Sequence, residues 1–222
     1  MVYSVALAIF DLDETLISSD SDHEWGEFVV RKGLVDPQLH RRLNDEFYKQ
    51  YKQGELDISA YLDFACSVLT RFSFEELHAY RKEFMETVIE PLILPRGRQL
   101  VTHHKEAGDF LLVITSTIEF ITAPIVQSLG IDTLIAPDPE IRNNRYTGNI
   151  VGTPSFAEGK VTRLKQWLEG VDLDLGGSFF YTDSHNDMPL LRLVDHPVAV
   201  DPDERLKTEA EKRQWKIISL RG

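Results

Sequence analysis

Four short apolar runs, each followed at once by an acid or a small polar residue, constrain the fold of this chain most. They are VALAIF before Asp11, FLLVIT at residues 110–115, SFFYT before Asp183 and PVAV before Asp201. Runs of this length without polar alternation are typical of strands in a parallel sheet that is covered on both faces. Helical patterns lie between the later runs, so the sequence predicts a doubly wound α/β fold.

Local signals place two further core elements. Ser155 precedes Glu158 at the spacing of a capping box, which predicts a helix from there through Trp167. An Asn-Asn pair within residues 142–153 predicts the turn of a polar hairpin.

The segment between the first and second runs is predicted to hold four helices. Asp36-Pro37 and Asp57 mark the starts of the second and third helices, and Ser73 with Glu76 forms a capping box for the fourth, which Pro91 and Pro95 are expected to terminate. We expect a helical cap at residues 18–92, inserted into a catalytic core formed by residues 1–17 and 93–222. The cap aromatics are expected to form its own core, with one or two lining a pocket; they are Trp25, Phe28, Phe47, Phe64 and Phe72.

Composition limits the classes of binding partner and the cellular compartment that we expect for this protein. The formal net charge is −12, from 36 acidic against 24 basic residues, which disfavours nucleic acid and anionic membrane surfaces as partners. Cys66 is the one cysteine, and it is expected to be a buried apolar residue. The N-terminal residues have no basic segment ahead of the apolar run, so we expect a strand there, no signal peptide, and a cytoplasmic protein.

Acids, hydroxyls and one lysine follow the predicted strands. In an open parallel sheet, ligands bind beyond the carboxyl ends of the strands, so these residues are expected to meet at one edge. The set is Asp11, Asp13, Thr115, Ser116, Asp183, Ser184 and Asp187, with Lys160 from a helix start. Carboxylates, hydroxyls and an ammonium group are the parts that metal-assisted phosphoryl transfer needs.

These residues also resemble the motifs of a known family. DLDET at residues 11–15 is similar to the first motif of the haloacid dehalogenase-like superfamily, and Thr115 is similar to the second. Lys160 is placed like the third motif, and DSHND at residues 183–187 resembles the fourth. The helical insertion resembles the cap of the phosphoserine-phosphatase-like branch, so the resemblance implies a phosphoric monoester hydrolase with that fold.

The resemblance implies a role for each residue. Asp11 would be the nucleophile that forms an aspartyl-phosphate, and Asp13 would be the general acid and base, with a raised pKa. Thr115, Ser116 and Lys160 would bind the phosphoryl oxygens. The implied cofactor is Mg²⁺, and the implied ligands are the carboxylates of Asp11 and Asp183 and the backbone carbonyl of Asp13, with Asp187 orienting or supplementing them.

Asp20, Asp22 and His185 are the candidate substrate-binding residues. In phosphoserine phosphatases a Glu at the position of Asp20 helps to hold the ammonium group of the substrate; the alternative is that both acids are solvated hinge residues. His185 either contacts substrate or faces solvent. Two glycines typically follow the second motif in that branch, whereas residues 115–118 of this chain read Thr-Ser-Thr-Ile, without glycine. This difference argues against phosphoserine itself.

Several functions remain open from sequence. The leading hypothesis is a Mg²⁺-dependent phosphatase for a small phosphomonoester. A phosphatase specific for an amino-bearing substrate, phosphoserine or histidinol phosphate, is the alternative within enzymes, together with a phosphotransferase or mutase. The alternative outside enzymes is a non-catalytic phosphate-binding or regulatory protein that kept the fold.

Overall fold

The computed structural model describes residues 5–222. The strands are β1 (Leu7–Phe10), β2 (Phe110–Ile114), β3 (Thr133–Ile135), β4 (Asp138–Arg142), β5 (Arg145–Val151), β6 (Phe179–Thr182), β7 (His196–Val200) and β8 (Lys216–Ile218). The helices are α1 (Ser21–Arg31), α2 (Pro37–Gln53), α3 (Ile58–Leu69), α4 (Phe74–Phe84), α5 (Glu90–Leu92), α6 (Pro95–Ala107), α7 (Glu119–Ser128), α8 (Glu158–Leu168), α9 (Met188–Leu191) and α10 (Glu204–Arg213).

A six-stranded parallel sheet forms the centre of the molecule, in the order β3-β2-β1-β6-β7-β8. Apolar clusters cover both of its faces. The predicted α/β fold is therefore confirmed, and the four apolar runs form β1, β2, β6 and β7. The expectation of no signal peptide rests partly on residues 1–4, which lie outside the described residues.

β1 occupies the position that matters most for a ligand. It pairs with β2 on one side and with β6 on the other, so the chain turns to opposite halves of the sheet around it. Ligand sites of open parallel sheets form at such a switch point, beyond the carboxyl ends of the strands. Asp11 lies at this point.

One of the two local predictions about helix ends is wrong. Ser155 does not cap α8, because its hydroxyl donates to the Thr115 carbonyl at 2.7 Å and Ala157 occupies the N-cap position without a side-chain bond. The fourth cap helix does end beside the predicted prolines: α4 continues through a π-helical stretch, Met85–Ile89, into α5 and stops at Leu92, between Pro91 and Pro95. Pro95 then begins α6.

The insertion after β1 is helical, as predicted. The side chains of Asp36, Asp57 and Ser73 cap α2, α3 and α4, and Ser73 and Glu76 form the predicted capping box. The two connections to the sheet run side by side, since the Ser18 N–H donates to the Leu92 carbonyl at 2.8 Å. That residues 18–92 behave as a separate domain stays a prediction.

Aromatic side chains join the insertion to helix α7 and to the β4–β5 hairpin. The ring of Trp25 packs at 5.6 Å from the ring of Phe120 in α7, and at 5.2 Å from Phe84. Cys66 is fully buried in the same cluster, as expected. The predicted hairpin is β4–β5, and Tyr146 of β5 stacks on Phe74 of α4.

Among the described helices, none has both the length and the apolar character needed to cross a bilayer.

Candidate active site

Asp11 and Lys160 form a buried ion pair at the end of β1. The Lys160 ammonium lies 2.9 Å from Asp11 Oδ1 and 2.7 Å from Asp187 Oδ2. All three side chains are nearly inaccessible to solvent, with 1–5% of each exposed. The structure thus brings together three residues from widely separated parts of the sequence around one positive charge.

The backbone around Lys160 explains how a lysine reaches this depth. Ser155 fixes the approach to α8 through its bond to the Thr115 carbonyl. A Cβ at Gly159 would collide with the Pro154 carbonyl oxygen, so only glycine fits next to Lys160. These contacts place the first turn of α8 directly beneath the end of β1.

Burial and mutual charge control the protonation of this pair. Burial raises the pKa of Asp11 to about 7, against the lowering effect of Lys160. Burial alone would lower the pKa of Lys160, but Asp11 and Asp187 raise it above its ordinary value. Lys160 is therefore a permanent cation at neutral pH.

Asp13 is held by donors on both of its oxygens. Oδ1 accepts from the Ser21 N–H at 2.7 Å, and Oδ2 accepts from the Thr117 hydroxyl at 2.9 Å. Burial, followed by repulsion from Asp20, raises the pKa of Asp13 to about 7. A carboxyl group with this pKa is suited to giving and taking a proton at neutral pH, and the direction agrees with the sequence-based expectation.

Asp183 and Asp187 flank Asp11 from the end of β6. The Thr15 hydroxyl donates to Asp183 Oδ1 at 3.1 Å and accepts from the Asp183 N–H at 3.0 Å, so the first and fourth motifs are tied together. The Thr182 hydroxyl donates to Asp187 Oδ2 at 2.7 Å, the oxygen that also receives Lys160. Asp187 thereby fixes the position of Lys160.

The acids at this edge fit a divalent cation that shares its shell with substrate. Within residues 5–222, no group of three or more His, Cys, Asp or Glu side chains is placed to hold a metal ion by itself. Mg²⁺ does not require one, because one or two carboxylates, substrate phosphate oxygens and waters usually hold it. Burial, followed by repulsion from Asp11, raises the pKa of Asp183 well above its usual value, and a cation would offset that repulsion.

Thr115 and Ser116 lie beside these acids at the end of β2. The Thr115 hydroxyl accepts from the Thr117 N–H at 3.2 Å, and the Ser116 hydroxyl donates to the Ser155 carbonyl at 3.2 Å. Both residues line the same cavity as Asp11 and Asp13. The structure therefore places the predicted hydroxyls next to the predicted nucleophile.

The three candidate substrate-binding residues differ in position. Asp20 caps α1 by accepting from the His23 N–H at 2.8 Å and lines the cavity, as Asp22 does. His185 does not belong to the described lining; it bonds to Asp203 at 2.7 Å, near the C-terminal end of α2. Its Nε2 lies 3.2 Å from an Arg205 nitrogen, and Arg205 donates to the Gln53 carbonyl at 2.7 Å.

Sequence reasoning missed the tyrosines of the cap. Tyr48, Tyr51 and Tyr61 line the cavity with Phe47, the one predicted cap aromatic that does so. The Tyr51 phenol lies near Ser184, at the carboxyl end of β6. Residues 44, 47, 48 and 51 of α2 share one helical face at spacings of three and four, and this pattern is the signal that would have identified them.

Comparison with known proteins identifies similar chains. A sequence model of the haloacid dehalogenase-like hydrolases matches residues 8–192. A histidinol-phosphatase of Neisseria meningitidis serogroup C is 49% identical over 97% of this chain and 99% of its own.

Two solved structures extend the comparison. A protein of unknown function from Bordetella pertussis shares 45% identity over 98% of this chain and 99% of that one, with a TM-score of 0.92. A substrate-bound phosphoserine phosphatase, 16% identical, has the same fold with a TM-score of 0.72, over 98% of this chain and 94% of its own. The resemblance deduced from the motifs is confirmed.

Proposed function

The chain belongs to the haloacid dehalogenase-like hydrolases, and from this premise we propose that Asp11, Asp13, Lys160 and Asp183 carry out its chemistry. It is a phosphoric monoester hydrolase that acts on a small phosphomonoester through an aspartyl-phosphate. The observation that carries the assignment of residues is the buried Lys160–Asp11 pair beside Asp13, at the end of a cavity.

The first step is transfer of the phosphoryl group to Asp11. A carboxylate oxygen of Asp11 attacks phosphorus, and the bond from phosphorus to the leaving oxygen breaks. Asp13 gives its proton to that oxygen, so the product leaves as a neutral alcohol. Lys160 and the hydroxyls of Thr115 and Ser116 stabilise the charge on the other phosphoryl oxygens.

The second step regenerates the enzyme. Asp13, now ionised, takes a proton from a water molecule, which attacks the phosphorus of the aspartyl-phosphate and releases inorganic phosphate. The Thr117 and Ser21 donors keep Asp13 in place for both transfers. One carboxyl group with a pKa of about 7 therefore serves both steps.

We include Mg²⁺ in the proposal. Asp11 and Asp183 would hold it with the Asp13 backbone carbonyl, and Asp187 would orient the group through Lys160. The bound ion supplies electrostatic stabilisation of the transferring phosphoryl group. A cytoplasmic location, and the absence of nucleic-acid and membrane partners, stay predictions from composition.

Removal of one proposed metal ligand tests the role of Mg²⁺. Asp183→Ala should raise the Mg²⁺ concentration for half-maximal p-nitrophenyl phosphate hydrolysis at least about tenfold, because an anionic ligand is lost. Asp172→Ala, an exposed acid, is the matched control and should leave the metal requirement unchanged. EDTA should silence the wild type, and added Mg²⁺ should restore it. Full activity of metal-free enzyme in EDTA would remove Mg²⁺ from the mechanism.

A second candidate function is a phosphatase specific for an amino-bearing substrate. Two observations favour it: the similar chain from Neisseria meningitidis is named histidinol-phosphatase, and two acids outside the proposed catalytic set, Asp20 and Asp22, line the cavity. A panel of phosphoserine, histidinol phosphate, sugar phosphates and nucleotides tests it. A marked preference for one amino-bearing ester supports specificity, and equal turnover of all the esters contradicts it. Release of inorganic phosphate without an acceptor separates a phosphatase from a phosphotransferase.

A further inference from the structure

The cavity extends from Asp11 into the cap. The cap lines it with aromatic side chains, Phe47 and Tyr48 from α2 and Tyr61 from α3. Since the phosphoryl group must lie at Asp11, the group bonded to it must lie among the cap side chains. These aromatic residues therefore contact the leaving group.

Asp22 is one of the charged residues that the cap adds to this lining. Its side chain belongs to a residue that is only 7% exposed, and it interacts with the phenol of Tyr61. Within residues 5–222, Asp22 has no ion-pair partner, in contrast to Asp11, which has Lys160. Asp20 differs from Asp22, because its carboxylate caps α1. A buried carboxylate without a cation is costly, and a cationic ligand would offset that cost.

The described lining has no free cation that could bind a second anionic group of the substrate. His23 is its only basic residue, and His23 Nε2 already lies 3.0 Å from Asp45. Nearby Lys52 pairs with Glu14, and Lys160 is held by two carboxylates at the phosphoryl site. A carboxylate on the leaving group would therefore be buried among Asp13, Asp20 and Asp22 without a partner.

We propose that Asp22 is the counter-charge for an ammonium group on the leaving alcohol, and that the cavity selects phosphate esters of amino alcohols that carry no carboxylate. The aromatic rings of Tyr48 and Tyr61 assist, because ring faces attract organic cations. The inference rests on the proposed function, since it assumes that the ester is cleaved at Asp11. It separates this chain from phosphatases whose substrate carries both an ammonium and a carboxylate group.

Matched pairs of esters test the inference on the wild-type enzyme. Histidinol phosphate is compared with its deamino analogue, which lacks only the amine, and phosphoethanolamine with phosphoserine, which adds only a carboxylate. We expect kcat/KM to be about tenfold to a hundredfold higher for the amine-bearing member of the first pair, the effect of one charge-assisted hydrogen bond. Phosphoethanolamine should be hydrolysed faster than phosphoserine. A ratio near one in the first pair, or a preference for phosphoserine in the second, would overturn the proposal.

Substitution assigns the effect to Asp22. In Asp22→Asn the ratio of kcat/KM between histidinol phosphate and its deamino analogue should collapse towards one. Asp63→Asn removes an exposed acid of α3, outside the cavity lining, and should keep the wild-type ratio. If Asp22→Asn kept the wild-type ratio of kcat/KM between the two esters, another group would be binding the amine. Failure of the proposed function has a different signature, since neither member of a pair would then release phosphate in an Asp11-dependent way.

Discussion

Asp11→Asn should lower kcat for every phosphomonoester by about 10⁴-fold or more, while the protein stays folded. The amide has the shape of the carboxylate but is not a nucleophile, so the phosphoryl group cannot be transferred to this position. The substitution also removes one of the buried negative charges around Lys160, and Lys160 keeps its contact with Asp187. We therefore expect a thermal unfolding midpoint close to that of the wild type.

The controls for this variant are chemical. Mass spectrometry of the intact protein must show that the introduced amide has not deamidated, because a small fraction of restored Asp11 would mimic residual activity. Asp63→Asn carries the same change at an exposed position of the cap and should hydrolyse p-nitrophenyl phosphate at the wild-type rate. Phosphate release near the wild-type rate by homogeneous Asp11→Asn would show that another residue is the nucleophile.

Lys160→Met should abolish activity and also destabilise the fold by about 3–5 kcal/mol, the usual result of removing one partner from a buried ion pair. Methionine fills a similar volume, so the loss would come from charge. Asp11 and Asp187 would then face each other at the end of the sheet without the cation that both contact. Chemical denaturation of the metal-free protein measures this effect.

An exposed lysine of the same helix provides the comparison. Lys165→Met should change the unfolding free energy by less than about 0.5 kcal/mol, because α8 leaves that side chain in solvent. Adding Asp187→Asn to Lys160→Met should recover part of the lost stability, since one of the two stranded carboxylates is neutralised. Equal stability of Lys160→Met and the wild type would mean that the ion pair has no net effect on folding.

The strands, and the meeting of polar residues at their carboxyl ends, were predictable from sequence for a definite physical reason. A central parallel strand is apolar on both faces, and the first polar residue after it must lie where the sheet ends. Asp11, Thr115 and Asp183 follow such strands, so their meeting follows from topology alone. Lys160 required the family resemblance, because the sequence shows only that it lies near a helix start.

The remaining features depend on tertiary contacts. Ser155 has the spacing of a helix cap, but its hydroxyl bonds to the Thr115 carbonyl, which is forty positions away in the chain. The edge strands β3 and β8 have three residues each and carry too little pattern to be recognised. Tyr51 lies near the carboxyl end of β6 only because α2 packs over it, with the Asn186 side chain donating to the Tyr51 carbonyl at 3.1 Å.

Trapping the covalent intermediate tests the central claim most directly. Asp13→Asn should still be phosphorylated by p-nitrophenyl phosphate, because nitrophenolate leaves without a proton, but it should hydrolyse the aspartyl-phosphate slowly. Acid quenching, digestion and mass spectrometry should then find a phosphoryl group on the peptide that contains Asp11, together with a burst of nitrophenol. Turnover by the wild type with no phosphoryl group on Asp11 in either protein, or with the group on another residue, would contradict the account.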